Sequence, residues 1–134
     1  MDVATAIPAA ARCWEHLHVA WCFYLLVSAG AVGVVLLSPR LRSDRPALRL
    51  LAAGYALFAW THLLGLLYIL KQWAAVAEEA RAGLSPVVAG RLAGAGLVEA
   101  PEPLWVVPFH ILGDLFVLYA LWRLSGSPAV ARSH

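Results

Sequence analysis

Residues 50–70 read LLAAGYALFAWTHLLGLLYIL, and they decide the fold. The run holds no Asp, Glu, Lys or Arg, and its one side chain that titrates near neutrality is His62. A helix of this length rises roughly 31 Å, against a hydrocarbon core of about 30 Å. A surface helix of a soluble protein carries a polar face, and this run has none wide enough to meet water. It reads as a membrane span.

Two further runs have the same character on either side of it. VAWCFYLLVSAGAVGVVLLS (19–38) carries no charge, and LWVVPFHILGDLFVLYALW (104–122) carries His110 and Asp114. The whole chain of 134 residues is 62% hydrophobic and 13% charged, whereas soluble domains average about 25% charged. The expectation is an all-α integral membrane bundle of three transmembrane helices, forming a single membrane domain over 1–134. The spans fall at about 19–38, 50–70 and 104–122, with an outer loop at 73–103 and an inner tail at 123–134. The leading MDVATAIPAAARCWEHLH lacks a basic cluster, and the first apolar run exceeds a signal h-region of about 7–15 residues. The first span is thus expected to persist as a helix.

Orientation follows from the basic residues. Arg40, Arg42, Arg45, Arg49, Arg123 and Arg132 lie on one side, close to span ends. Arg12, Lys71, Arg81 and Arg91 lie on the other, diluted by Glu15, Glu78, Glu79, Glu99 and Glu102. The expected placement is a bacterial-type inner (plasma) membrane, N-terminus outside and C-terminus cytoplasmic. The net charge of +2 is then a topology signal, and no basic face points to nucleic acid. The expected partners are the lipid bilayer and other membrane protein subunits.

The outer stretch KQWAAVAEEARAGLSPVVAGRLAGAGLVEAPEP (71–103) is organised. Its alanines continue the second helix to about Ala82, with Gly83 as a C-cap. Ser85 and Pro86 then start a short helix bearing Val87, Val88 and Leu92. The PEP of 101–103 breaks helix before the third span. Trp14, Trp21, Trp73 and Trp105 fall at the outer boundary and Trp122 at the inner one, as an interfacial belt would. Cys13 and Cys22 are too few and too far apart for a disulfide framework or a CxxC site.

The informative residues are polar ones at membrane depth. Counted from the outer boundary, His110 lies roughly 9 Å down, His62 roughly 13 Å and Asp114 roughly 15 Å. A charged Asp near mid-bilayer costs at least about 2.5–3.5 kcal/mol, so such groups turn inward and find partners. In the plainest reading Asp114 bonds His62 across two helices and both are structural. In a second, His62 and His110 bind a cofactor, ligating haem iron or chlorophyll magnesium, with Gly65 and Gly113 three residues on leaving room. In a third, His62, His110 and Asp114 hold a metal such as copper or zinc, the alternative being a rim stripe of Glu15, His18 and Cys22 at i, i+3 and i+7. In a fourth, the same three residues relay protons from the outer side.

THLLGLLYI (61–69) resembles the HLLG-type helices of small multi-pass haem- or copper-handling membrane proteins, over nine residues and with no residue role carried across. The sequence assigns no catalytic residue. The leading expectation is a small accessory subunit of a larger membrane complex, a respiratory or photosynthetic redox assembly engaged in electron transport. The alternatives are a free-standing metal-binding protein or enzyme using His62, His110 and Asp114, and a structural assembly factor without chemistry. Small residues at Gly30, Gly33, Ala52, Ala53, Gly54 and Ala56 offer helices a close approach.

Overall fold

The computed structural model describes residues 3–94 and 103–125, and among them every regular element is a helix. They are α1 (Val3–Leu37), α2 (Pro39–Ser43), α3 (Arg45–Ala82), α4 (Pro86–Gly94) and α5 (Pro103–Ser125). Helices α1, α3 and α5 are long and apolar enough to cross a membrane. The tail and most of the segment before α5, including the first two residues of PEP, lie outside the described residues.

α1 and α3 have 35 and 38 residues against 23 in α5. At about 1.5 Å per residue they overshoot α5 by roughly 20 Å. The three helices therefore form a bundle over the α2 half of the molecule, and α1 and α3 continue beyond it as a two-helix hairpin. The long α3 agrees with the alanine-rich extension expected to Ala82, and it is closed by the Gly83 amide donating to the Ala80 carbonyl and the Leu84 amide donating to that of Arg81.

Inward-facing residues recur at intervals of three, four and seven. On α1 they are Ala10, Leu17, Tyr24, Ser28 and Val35; on α3, Leu48, Tyr55, Ala59, Leu66, Leu70, Trp73, Ala77 and Ala80. On α5 they are His110, Val117 and Leu121. This is the 3.5-residue repeat of helices packed along a left-handed seam. The other faces present leucines, valines and aromatics such as Leu26, Leu57 and Phe116 outward, the surface a lipid-facing helix needs.

The turn between the first two spans is a helix in its own right, α2. Ser38 Oγ accepts the Leu41 amide at 3.3 Å, and Pro39 fills a first-turn position where no donor is required. Asp44 then accepts the Ala47 amide at 3.0 Å and caps α3. At the other end α4 packs Leu92 and Ala93 against Ala80 of α3. Trp73 departs from the expected interfacial belt. It is 1% exposed among Leu17, Leu66, Leu70 and Ala77, between the arms of the hairpin, and its indole N–H has no acceptor among the described residues.

Candidate functional site

Six side chains and one backbone carbonyl join into a single polar chain through the bundle. His110 and Asp114, one turn apart on α5, bond through Nδ1 and Oδ2 at 2.7 Å. His110 Nε2 meets His62 Nδ1 of α3 at 2.9 Å. His62 Nε2 in turn lies 2.9 Å from the Ala20 carbonyl of α1. On its other oxygen, Asp114 Oδ1 accepts the Tyr24 hydroxyl at 2.9 Å and the Tyr55 hydroxyl at 3.1 Å. Ser28 Oγ lies 3.0 Å from Tyr55 Oη and completes the chain on α1.

The helical repeat explains how three helices deliver these groups to one point. Ala20, Tyr24 and Ser28 are at i, i+4 and i+8 on α1, and Tyr55 and His62 at i and i+7 on α3. Residues so spaced share a face.

Donors and acceptors fix most of the protons. A carbonyl oxygen only accepts, so His62 Nε2 carries hydrogen and donates to Ala20. Tyr55 donates to Asp114, so Ser28 is the donor to Tyr55. The bond between the two imidazoles needs one hydrogen, and so does the bond between His110 and Asp114. Two imidazoles and one carboxyl thus hold three protons, and their summed charge is zero. Two of those protons sit in bonds where either end can own them. The forms range from two neutral histidines beside a carboxylic acid to an imidazolium on His110 or His62 beside a carboxylate. Removing a proton would set two acceptors against each other, and adding one would set two donors.

Aromatic rings enclose the chain. The Tyr24 ring lies 4.4 Å from that of His110 and 5.2 Å from that of His62, with Trp21 against His110 at 5.9 Å and Phe58 against His62 at 5.5 Å. Toward α2 it is closed by Val35, Leu48, Ala59, Val117 and Leu121. Toward the hairpin it is closed by Leu17, Leu66, Leu70 and Trp73. The His110 side chain is fully buried, whereas that of Asp114 is 15% exposed and His62 is half-buried. The polar chain therefore meets the outside through the flank of the bundle, between helices, and not along its axis.

The three residues singled out from sequence are brought together, in a different order from the pair expected. His110 stands between His62 and Asp114, because its imidazole reaches across to α3 while Asp114 lies one turn deeper. Tyr24, Tyr55 and Ser28 were missed. Their signal was present as the four- and seven-residue spacings to Ala20 and His62, but hydroxyls in a membrane span are common enough that spacing alone did not mark them. All four ring nitrogens of His62 and His110 are engaged, so ligating iron or magnesium would require opening one of these bonds. At the rim, Glu15, His18 and Cys22 are each exposed, and His18 Nδ1 faces its own helix at the Trp14 carbonyl, 3.2 Å away. Among the described residues no group of three or more His, Cys, Asp or Glu side chains is disposed to hold a metal ion.

The two glycines beside the histidines differ. A Cβ on Gly113 would stand 2.6 Å from the Tyr24 hydroxyl, so the space there is taken by the tyrosine. A Cβ on Gly65 would meet nothing within 4 Å. Gly65→Ala is accordingly expected to raise stability by about 0.5–1 kcal/mol through helix propensity, measured by thermal unfolding in detergent. A loss would mean that something packs closely on this face of α3.

Comparison of the chain with models of protein families, with curated proteins and with solved structures finds no match.

Proposed function

We propose that this chain is a small multi-pass subunit of a larger membrane complex, and that its buried chain of His62, His110 and Asp114 is a proton relay opening sideways to a neighbour. The observation behind this reading is the unbroken run of hydrogen bonds from Asp114 to His62, bounded above and below by apolar side chains and, among the described residues, part-exposed at the flank. Polar groups part-exposed at membrane depth are expensive against lipid, which supports a partner covering them. Reducing a lipid-soluble carrier consumes protons inside the membrane, so a respiratory or photosynthetic redox assembly is the setting proposed. The orientation proposed has the N-terminus outside and the arginine-rich end cytoplasmic, supported by the positions of the basic residues.

A second reading is favoured by the complete satisfaction of the polar atoms: the chain is a clamp that sets the register of three helices and moves no proton. Asp114→Asn separates the two. Its amide oxygen still accepts Tyr24 and Tyr55, and its NH2 donates to His110 Nδ1, which leaves His110 donating to His62. Every hydrogen bond survives while the movable proton is gone. The relay predicts ring ¹⁵N signals of His110 that average between protonated and bare nitrogen in the wild type and become those of one fixed neutral tautomer in the Asn variant. Identical, fixed tautomers in both proteins would overturn the relay and leave the clamp.

Absorption spectra and elemental analysis of the same preparation check the cofactor readings directly. A pigment band bleached by His62→Ala or His110→Ala, or stoichiometric copper or zinc, would replace the relay with ligation. Migration as a clean monomer on a native gel would count against the subunit reading.

A further inference from the structure

We propose that the arginines gathered at the α2 end of the bundle form a binding surface for the headgroups of anionic phospholipids. Arg40 and Arg42 lie on α2, Arg45 and Arg49 in the first turns of α3, and Arg123 in the last turn of α5. α2 packs against α1, α3 and α5 alike, so the fold draws these separate pieces of chain to one end. None of the five makes an ion pair with a described residue. The one described carboxylate at that end is Asp44, and its Oδ1 is already engaged by the Ala47 amide as the cap of α3. Among the described residues the five guanidinium groups thus have no counter-ion.

The surface beside them says what the counter-ion is attached to. Leu37 is 86% exposed, Leu50 75% and Trp122 68%, each within a few residues of an arginine. A free anion satisfies the guanidinium groups alone. A phospholipid satisfies both parts, its acyl chains covering the leucines and its phosphate receiving the guanidinium forks. Arginine binds phosphate with two parallel N–H donors, and this suits it to the task better than lysine.

A basic side chain at a membrane surface contributes about fivefold in affinity for anionic lipid at low ionic strength. The test uses the full chain in detergent, titrated with phosphatidylglycerol or phosphatidylcholine and read by native mass spectrometry. Phosphatidylglycerol is expected to bind more tightly, and raised salt to erode the difference. The triple variant Arg40→Gln, Arg42→Gln, Arg45→Gln is expected to weaken phosphatidylglycerol about a hundredfold and to leave phosphatidylcholine unchanged. Equal binding of the two lipids by the wild type would overturn the proposal, and so would an unchanged preference in the triple variant. Displacement of phosphatidylglycerol by inorganic phosphate at equal concentration would also overturn it, since a site for the ion alone has no use for the lipid. If the triple variant fails to fold, the lipid preference of the wild type and its salt dependence still decide the matter.

Discussion

Asp114→Ala is expected to be the most damaging single substitution in the bundle, lowering stability by about 2–4 kcal/mol. The carboxyl is the common acceptor for Tyr24 and Tyr55 and the partner of His110. Its loss leaves three polar groups each short of a partner among apolar side chains and removes the direct bonds from α5 to the hydroxyls of α1 and α3. Hydrogen bonds between membrane helices average about 0.6 kcal/mol and reach about 1.7, because the unfolded helices also find partners in lipid. Two such bonds between helices, the His110 bond within α5 and the cavity left by the side chain together give the stated range. Unfolding in mixed detergent and denaturant measures it. Asp114→Asn, which preserves each bond, should fall within about 1 kcal/mol of the wild type. Ala and Asn variants of equal stability would show that the acceptor does not hold the helices together.

Gly113→Ala is expected to cost about 1–2 kcal/mol, and the cost to vanish when Tyr24 is Phe. The new methyl would lie 2.6 Å from Tyr24 Oη but 3.7 Å from the ring carbon that bears it. The hydroxyl alone therefore stands in the way. Tyr24 cannot simply swing aside, because it is held by Asp114 and packed on both imidazoles. Overpacking of this kind costs about 1–3 kcal/mol, offset by the helix propensity that alanine gains over glycine. In a Tyr24→Phe background the clash is gone and the same substitution should be neutral or slightly stabilising. A double-mutant cycle on the four proteins reads the coupling. Additive effects would mean that Gly113 and Tyr24 do not meet as described. Because the clash falls on one of the two hydroxyls that feed Asp114, Gly113→Ala should also disturb the ¹⁵N signals of His110, whereas Gly65→Ala should leave them alone.

The two glycines show where reading a sequence stops. Each stands three residues after a histidine, and as letters they are equivalent. One borders a hydroxyl and the other open space, a difference set by which face of each helix turns inward. In a soluble protein the polar face of a helix gives that away. Here residues such as Leu57, Phe116 and Leu66 are all apolar although the first two face outward and the third is buried. The same hydrophobicity serves lipid and core, so the pattern that orients a helix is nearly erased.

By itself the sequence determined three apolar helices long enough to cross a membrane, the extension of α3 to Ala82, the short helix from Pro86, and the presence of imidazole and carboxyl groups within the apolar helices. Length, capping residues and hydropathy are local properties, and they are legible one segment at a time. Only the tertiary structure decided that His110 lies between His62 and Asp114, that Tyr24, Tyr55 and Ser28 complete the chain, and that Trp73 is buried. Those outcomes depend on the rotation of each helix about its own axis and on its register against two others. Both are fixed by side chains far apart in the sequence meeting across the bundle.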